Sequence, residues 1–362
     1  MPVSPPTNDN SPCPWLIRAP DAFSGMEPEI IGSLGAEKLK KVGRDYLLIR
    51  INDPASIHHS EAAKFLRWNL PIHHMWPCNP KETSGFIEKA AQALWRKFGA
   101  MDPQTILVGA LDPDAKNRYF RTLASNLRGR TLQIFPTRAS SIRDAESQDG
   151  ESPTLFCLVG EEGLFCGVQS PRRSNGFHPG GTRFIRQSAP GMISRAGAKI
   201  AEALHHLALY RGAPESGSHW LELGASPGGM TSELLKRNYR VTAVDRAPLD
   251  DRLLKSGDLQ AVRMDAASYH PVDDTTYDAI LSDMNGDALE SIAQVVRLSR
   301  NLRQGGLVIF TLKTPGVTAF GEINRLSATV SGIAAAADLR LISLTHLTYN
   351  RHEFTVFLER MA

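Results

Sequence analysis

A glycine-rich turn stands in the stretch LELGASPGGMTSELL, which begins at Leu221. An apolar run stops at Gly224, and Pro227, Gly228 and Gly229 follow before a helical pattern begins. A glycine turn between a strand and a helix lets backbone N–H groups approach a ligand closely, and such turns commonly hold nucleotides. The sequence therefore predicts a nucleotide-type cofactor at this turn.

The spacing of the glycines distinguishes between the cofactors that the turn could hold. The dinucleotide pattern G-x-G-x-x-G requires a second glycine where Ser226 stands, and no lysine follows at the position that a Walker-type loop needs. S-adenosylmethionine has no phosphate, but it needs a backbone-lined cleft at the carboxyl ends of strands. It is the candidate that remains, and a nicotinamide cofactor is the disfavoured alternative.

Two acidic residues follow the next two strands of the pattern. Asp245 ends RVTAVD, 21 residues after Gly224, and a carboxylate there can accept hydrogen bonds from both hydroxyls of a ribose. Asp265 follows the third strand, where it could face the exocyclic amine of adenine. The alternative for both residues is that they only cap the ends of strands.

Strands and helices alternate from about residue 187 onward, which would position these residues. Strands are predicted in HWLELGA, RVTAVD, LQAVRMDA, YDAILSDM and LVIFTLK, and helices in GAKIAEALHHLALY, GMTSELLKRN, DALESIAQVVRLSRNLRQGG and AFGEINRLSATVSGIAAAAD. Such alternation predicts a mostly parallel sheet that is covered on both faces. The closing stretches LRLISLTHL and EFTVFLERM predict an antiparallel hairpin at its edge.

The first half of the chain predicts a mixed α+β region. Strands are expected in RDYLLIRIND, QTILVGAL and TLQIFP, helices in PKETSGFIEKAAQALWRKFG and DAKNRYFRTLASNLRGR, and a hairpin in TLFCLVGEEGLFCGVQS. Cys157 and Cys166 fall on the two strands of that hairpin. Free buried thiols are favoured there, and a disulfide is the alternative.

Composition excludes several classes of protein. No apolar run approaches the roughly 18–20 residues of a membrane span, and the start MPVSPPTNDNSPCP lacks the features of a secretory signal and suggests a short flexible leader. We therefore expect a cytoplasmic protein without a membrane partner. The four cysteines include no C-x-x-C pair, so no metal site is predicted.

Positive charge is concentrated in the first half. Residues 1–190 carry 23 Lys and Arg against 19 Asp and Glu, whereas residues 191–362 carry 18 against 19. PRRSNGFHPGGTRFIRQ, which begins at Pro171, contains four arginines and no acid, and a predicted helix contains Lys116, Arg118, Arg121, Arg128 and Arg130. Basic segments with aromatic residues suit RNA, and a linker with solvated arginines is the alternative for the first segment.

The glycine turn is similar to the cofactor signature of FtsJ-type (RrmJ-like) ribose 2'-O-methyltransferases, in which a Pro-Gly-Gly turn is typical. Those enzymes carry a Lys-Asp-Lys-Glu tetrad, and this sequence can supply one in the same order. SRAGAKIAE, ILSDMNGD, FTLKTPG and NRHEFTVF provide Lys199, Asp283, Lys313 and Glu353. The resemblance covers about residues 187–362 and implies a Rossmann-like, S-adenosylmethionine-dependent domain.

The resemblance also implies a role for each residue. Lys313 would be the base that removes the proton of a ribose hydroxyl, Lys199 and Glu353 would orient that hydroxyl, and Asp283 would hold a lysine in place. To act as a base the lysine must lose its proton, which burial and nearby positive charges favour. The implied cofactor-binding residues are Gly224, Ser226, Pro227, Gly228, Gly229, Asp245, Asp265 and Asp283.

Within the family, the chain most resembles the RlmM subfamily, which methylates 23S ribosomal RNA and carries a THUMP-containing RNA-binding region before the catalytic domain. This implies an RNA-binding region at residues 1–186, with a basic linker at about 171–186, and a methyltransferase domain at residues 187–362. RNA is the implied partner, and a monomer is favoured. The alternatives are a methyltransferase acting on tRNA or an mRNA cap, or an RNA-binding protein with a relict methyltransferase domain.

Overall fold

The structure is a computed structural model, and it describes residues 13–135, 149–182, 185, 191–314 and 316–361. The chain divides into two compact units, Met1–Gly181 and Thr182–Ala362. Within the described residues, no helix combines the length and the apolar character needed to cross a membrane. Most of the predicted leader lies outside the described residues, and its last residue, Pro14, already begins a strand.

The first unit opens with an antiparallel sheet of four strands in the order β2-β3-β1-β4. Its elements are β1 (Pro14–Arg18), α1 (Glu27–Ser33), β2 (Ala36–Val42), β3 (Tyr46–Ile51), α2 (Ser56–His59) and β4 (Trp68–Pro71). Sequence analysis predicted only β3 among these strands. β2 gives no apolar signal because it is an edge strand whose residues 37–41 are exposed and include three lysines.

A second sheet of the first unit has the order β5-β8-β7-β6. Its elements are β5 (His74–Trp76), α3 (Phe86–Phe98), β6 (Thr105–Ala110), α4 (Tyr119–Ile134), β7 (Thr154–Gly160), β8 (Gly163–Gln169) and α5 (Pro171–Ser174). β6 and β7 are parallel and the other pairs are antiparallel, so the unit is mixed α+β as predicted.

The strand predicted in TLQIFP is wrong, because this stretch is the last turn of α4. Leu123, Leu127 and Thr131 follow one another at helical spacing on the buried face, and the Thr131 hydroxyl donates to the Leu127 carbonyl at 2.8 Å. The helix ends just before Pro136, where the preceding residue is disfavoured in the helical region. Residues 136–148 lie outside the described residues.

The predicted hairpin is confirmed, with Cys157 directly opposite Cys166 in the register of β7 and β8. Both are free cysteines and both are fully buried, so the disulfide alternative is not realised in the structure. Burial is the main reason that the pKa of the Cys166 thiol lies well above its ordinary value, and the neighbouring Cys157 adds to it. The pair therefore fills the core as small apolar side chains do.

Residues 171–181, which sequence analysis placed in a basic linker, fold as part of the first unit. Pro171 and Ser174 of α5 are buried, and the Ser170 hydroxyl caps the helix by accepting from the Arg173 backbone N–H. The carbonyl of Gly180 accepts a hydrogen bond from the buried Arg18 guanidinium at 2.8 Å. The arginines at positions 183 and 186 of the same segment lie outside the described residues.

The second unit is built on one sheet of seven strands. Its elements are α6 (Ala196–Leu207), β9 (His219–Leu223), α7 (Gly229–Leu235), β10 (Arg240–Asp245), β11 (Leu259–Arg263), β12 (Tyr277–Ser282), α8 (Ala288–Leu298), β13 (Leu302–Lys313), α9 (Phe320–Ala335), β14 (Leu339–Thr345) and β15 (Glu353–Arg360). The helix predicted up to residue 306 ends earlier, because β13 already begins at Leu302 and includes both glycines.

The strand order β11-β10-β9-β12-β13-β15-β14 makes this a Rossmann-like, doubly wound α/β unit. All strand pairs from β11 to β13 are parallel, and β15 is antiparallel to both β13 and β14. The edge hairpin is thus confirmed. The chain winds in one direction from β9 to β11 and then returns to the other side of β9, so the topological switch point lies between β9 and β12, where such sheets bind ligands.

Candidate active site

A cavity of about 800 Å³ lies at the carboxyl ends of the parallel strands, next to the switch point. Its lining includes five of the residues predicted to bind a cofactor: Gly224, Ser226, Asp245, Asp265 and Asp283. Lys199 and Lys313 of the implied tetrad also line it. Pro227, Gly228 and Gly229 complete the turn but are not among the described residues that line the cavity. The strand ends that the sequence indicated thus lie at this cavity.

The glycine turn passes between two parts of the unit that leave no room for side chains. Gly224 has a φ of +80°, and a Cβ there would lie 2.9 Å from the backbone N of Met284 after β12. A Cβ on Gly229 would lie 2.0 Å from the Ser194 Oγ, just before α6. Gly224 therefore lets the turn pass close to the segment that follows β12, and Gly229 lets α6 approach the turn. This approach brings Lys199 to the cavity.

Asp245 holds the turn as well as lining the cavity. One carboxylate oxygen accepts from the Ser226 backbone N–H at 2.9 Å, and the other accepts from the Ala247 N–H at 2.8 Å. The first contact joins the end of β10 to the glycine turn. Each carboxylate oxygen has a second lone pair for a ligand, so the observed contacts leave capacity for a ribose diol.

Asp265 has the more local arrangement. Its side chain accepts from the Ala267 backbone N–H at 2.8 Å and caps a short 3-10 turn over residues 266–268. The Arg246 guanidinium lies 3.6 Å from its other oxygen. The side chain is 48% exposed. Its contacts with the protein are those of a cap, as the alternative interpretation predicted. It also lines the cavity, where it is accessible to a ligand.

The four tetrad residues come together from four separate elements. Lys199 Nζ lies 3.6 Å from Asp283 Oδ2 and forms a short ion pair with Glu353. Lys313 Nζ lies 3.2 Å from Asp283 Oδ1. Asp283 therefore stands between the two lysines, with its side chain 16% exposed and the lysine side chains 25% and 17% exposed. α6, β12, β13 and β15 each contribute one member at or next to an end.

Lys313 has two further contacts that sequence reasoning missed. Its ammonium donates to the Asn285 side-chain carbonyl at 2.7 Å and to the Asp283 backbone carbonyl at 3.2 Å. Asn285 follows the apolar strand β12 in the polar stretch SDMNGD, and that run of polar residues at a strand end was the available signal. These acceptors fix the position of Nζ at the edge of the cavity.

Glu353 is held from its other side by the loop that precedes β15. The residue is 8% exposed, and the Asn350 amide donates to its carboxylate at 3.3 Å. The loop is in turn fixed by Glu202, which is 3% exposed and accepts from the backbone N–H groups of Thr348 at 2.9 Å and Tyr349 at 3.1 Å. Glu202 lies one turn after Lys199 on α6, so one helix supports both members of the Lys199–Glu353 pair.

A buried acid lies beneath the turn. Glu222 of β9 is 2% exposed, and the Thr231 hydroxyl of α7 donates to its carboxyl at 2.7 Å. The pKa of Glu222 is raised to about 8, mainly by burial; the contact with Thr231 opposes this change, and the negative charges of Asp283 and Asp245 contribute to it. The carboxyl is therefore mostly neutral at pH 7, and it ties β9 to α7 directly below the glycine turn.

The predicted basic helix is confirmed from Tyr119, where α4 begins, whereas Lys116 and Arg118 precede the helix. Arg130 forms an ion pair with Glu88 at 2.6 Å, and Arg128 and Arg121 donate to backbone carbonyls. Lys116 and Arg118 are exposed. In the basic segment after Ser170, Arg172 pairs with Glu151 at 2.8 Å, which leaves less of its charge for a polyanion. Among the described residues, no three His, Cys, Asp or Glu side chains are grouped to hold a metal ion.

The doubly wound sheet, the cavity at its switch point and the charged cluster beside that cavity define an α/β unit of the nucleotide-cofactor class. Residues 192–313 match the model of the FtsJ-like methyltransferase family. The matched range contains Lys199, Asp283 and Lys313, whereas Glu353 lies beyond it. The predicted resemblance is therefore confirmed.

The chain is also similar to curated relatives of one description. The chain is 28% identical over 229 residues to the ribosomal RNA large subunit methyltransferase M of Shewanella frigidimarina, which covers 61% of each chain. It is 29% identical over 214 residues to the protein of the same description from Tolumonas auensis, covering 56% of this chain and 55% of that one. The alignments thus span little more than half the length of these relatives.

One solved structure, the fibrillarin pre-rRNA processing protein of Methanococcus jannaschii, aligns with 61% of this chain and 87% of its own. Its identity is 12% and its TM-score is 0.37, which is too low to support an argument about function.

Proposed function

We propose that this chain transfers a methyl group from S-adenosylmethionine to a ribose 2'-hydroxyl of RNA, and that its substrate is large-subunit (23S) ribosomal RNA. The single observation that carries the proposal is the cluster of Lys199, Asp283, Lys313 and Glu353 at one end of the switch-point cavity. The family match supports the methyl transfer, and the descriptions of the curated relatives support the RNA.

The residues of the cavity fit an adenosine-containing cofactor without phosphates. Asp245 presents a carboxylate to the cavity where a ribose diol would need acceptors, and Gly224 keeps the backbone open beside it. Asp265 and Asp283 add further acceptors. Negative side chains would repel a pyrophosphate but suit a cationic ligand. When bound, S-adenosylmethionine supplies an electrophilic methyl group on a positively charged sulfonium.

The tetrad would then act on the acceptor hydroxyl. A ribose hydroxyl is a poor nucleophile at neutral pH, so it must be held in line with the methyl group and relieved of its proton. Lys313 is the proposed base, positioned by Asp283 and Asn285. Lys199, fixed between Asp283 and Glu353, would orient the hydroxyl by donating a hydrogen bond to its oxygen. The oxygen gains the methyl group as the proton leaves.

The two units would have different roles. We propose that the first unit is a THUMP-containing RNA-binding region, supported by the exposed Lys116 and Arg118. The second unit is the proposed methyltransferase domain. A ribosomal RNA substrate would place the chain in the cytoplasm, and we propose that it acts there as a monomer.

A methyl-transfer assay tests the proposal. The full chain is incubated with labelled S-adenosylmethionine and with transcribed 23S ribosomal RNA, bulk tRNA, capped mRNA or DNA of the ribosomal sequence. We expect label in the 23S RNA alone, at a nucleotide whose 3' linkage resists alkaline hydrolysis, because a methylated 2'-oxygen cannot attack the phosphate. Label in tRNA or in capped mRNA would replace the proposed substrate, and label in no RNA would contradict the proposed reaction.

A further inference from the structure

A second cavity, of about 420 Å³, lies beside the tetrad. Its lining includes Arg195, Lys199, Tyr349, Asn350, Arg351 and Glu353. Lys199 also lines the larger cavity, so the two cavities meet at this lysine. The tetrad therefore separates a space on the cofactor side, lined by Asp283 and Lys313, from a second space lined by Glu353.

The second cavity is positively charged. Its charged lining consists of three cations and one carboxylate, and that carboxylate, Glu353, is paired with Lys199. Arg195 and Arg351 are both exposed, and neither guanidinium has an ion-pair partner within the part of the chain that the structure describes. Two such guanidinium groups favour an anionic ligand, and their planar donors match the oxygens of a phosphate.

The wall that carries Arg351 is fixed by its own contacts. The Tyr349 hydroxyl donates to the Ile185 carbonyl at 2.9 Å and accepts from the Ile185 N–H at 2.8 Å. The Asn350 side chain accepts from the Leu347 N–H at 2.8 Å, and Glu202 accepts from two further N–H groups of the loop. The cavity is therefore formed before any ligand arrives, which is typical of small-molecule sites in the range of about 300–1,000 Å³.

We infer that this cavity receives the acceptor nucleotide, and that Arg195 and Arg351 bind the phosphates on either side of its ribose. The inference rests on the proposed function and names the part of the substrate that each cavity holds. A ribose placed at Lys199 would have its 2'-hydroxyl at the boundary between the cavities. The space accommodates a nucleotide only after it has left a base-paired stack, so the acceptor is a single-stranded or splayed-out nucleotide.

The test compares Arg195→Gln and Arg351→Gln with the unaltered full chain. Single-turnover methyl transfer to transcribed 23S RNA is measured over a range of RNA and salt concentrations. We expect each variant to need about tenfold more RNA for half-saturation, with an unchanged affinity for S-adenosylmethionine by calorimetry. The loss of one phosphate contact on a single strand should also lower the slope of log affinity against log salt by about 0.7.

Two further variants act as controls. Arg351→Lys keeps the positive charge, so it should retain the salt slope while losing part of the affinity that the guanidinium geometry provides. Arg325→Gln removes an exposed arginine of α9 that is not among the described residues lining either cavity, and it should behave like the unaltered chain.

The outcomes separate this inference from the proposed function. If the unaltered chain methylates RNA while both glutamine variants keep its half-saturation and its salt slope, the cavity does not hold the flanking phosphates. If the variants lose affinity for S-adenosylmethionine to the same extent as for RNA, the arginines support the fold and the inference is again overturned. If the unaltered chain methylates no RNA, the proposed function fails first, and the assignment of this cavity fails with it.

Discussion

Individual residues in this site support the fold in one place and shape the site in another. Asp245 holds the glycine turn through the Ser226 N–H, and its carboxylate also lines the cavity. Glu202 fixes a loop and lies on the helix that presents Lys199. A substitution at such a residue therefore affects more than one measurement. Each prediction needs an observable that separates the two effects.

Asp245→Asn should weaken the binding of S-adenosylmethionine by about 1–3 kcal/mol, the usual range for a lost hydrogen bond to a charged group. Asparagine keeps one carbonyl acceptor, so part of the turn's support survives. Calorimetry measures the affinity, and Asp251→Asn, an exposed neighbour outside the described lining of the cavity, is the matched control. Equal affinities for the Asp245 variant and the unaltered chain would exclude the ribose role.

Glu222→Gln should change the pH dependence of stability. The pKa of Glu222 is raised from 4.5 to about 8 in the folded state, so the folded chain binds this proton more tightly than the unfolded chain does. The stability from this group is complete below about pH 4.5 and is lost as the pH rises to about 8, at roughly 1.36 kcal/mol per pKa unit. Glutamine keeps an acceptor for the Thr231 hydroxyl but does not titrate.

The measurement is the urea unfolding of both proteins between pH 5 and pH 8.5. We expect the glutamine variant to gain stability relative to the unaltered chain as the pH rises, with the difference growing up to about pH 8 and levelling off above it. Glu322→Gln, at an exposed position of α9, is the control. Parallel profiles for the Glu222 variant and the unaltered chain would show that the buried carboxyl does not titrate in this range.

At the scale of elements, the sequence predicted the second unit better than the first. Apolar strands alternating with helices give a strong signal, and they placed Gly224, Asp245 and Asp283 at the correct strand ends. β2 was missed because its side chains are mostly exposed, and the end of α4 was taken for a strand because a short apolar run fits either structure.

The contacts that assemble the site could not be predicted from the sequence. The pattern could identify Lys313 only by resemblance, and nothing in its spacing indicated that Asn285 would hold its ammonium. The same is true of Glu202, which looks like an ordinary helix glutamate until the loop before β15 folds onto it. Such contacts depend on how distant segments pack, whereas sequence patterns report the local period of burial.

Glu202→Gln tests whether the loop before β15 must be held for activity. The substituted side chain has one acceptor in place of two and brings an N–H group toward a backbone N–H, so the loop and Glu353 should lose their fixed positions. We expect the single-turnover rate to fall by about tenfold or more while the affinity for S-adenosylmethionine stays unchanged, because Glu202 is not among the described residues lining the larger cavity.

Glu215→Gln, at an exposed position before β9, is the control for this loss. A Glu202→Gln chain with the full rate would show that the helix and the loop keep their geometry without the carboxylate.

At the scale of the whole molecule, the exposed Lys116 and Arg118 lie in the first unit and both cavities lie in the second. If the first unit binds RNA, the double variant Lys116→Ala/Arg118→Ala should weaken RNA binding by the full chain about equally for all sequences, and it should lower the salt slope by about 0.7 for each lost contact to single-stranded RNA. Filter binding at several salt concentrations measures both. Lys255→Ala/Arg325→Ala is the control, and an unaltered slope for the first pair would assign RNA binding to another surface.

The central claim is that Lys313 removes the proton of the acceptor hydroxyl, and a single-turnover methyl-transfer measurement on Lys313→Ala and Lys313→Arg tests it most directly. Both variants should bind S-adenosylmethionine nearly as well as the unaltered chain but transfer no methyl group, because alanine has no base and arginine keeps its proton. Lys255→Ala, an exposed lysine outside the described lining of either cavity, should be fully active. An active Lys313→Arg enzyme would contradict the account, since this position would then supply only positive charge.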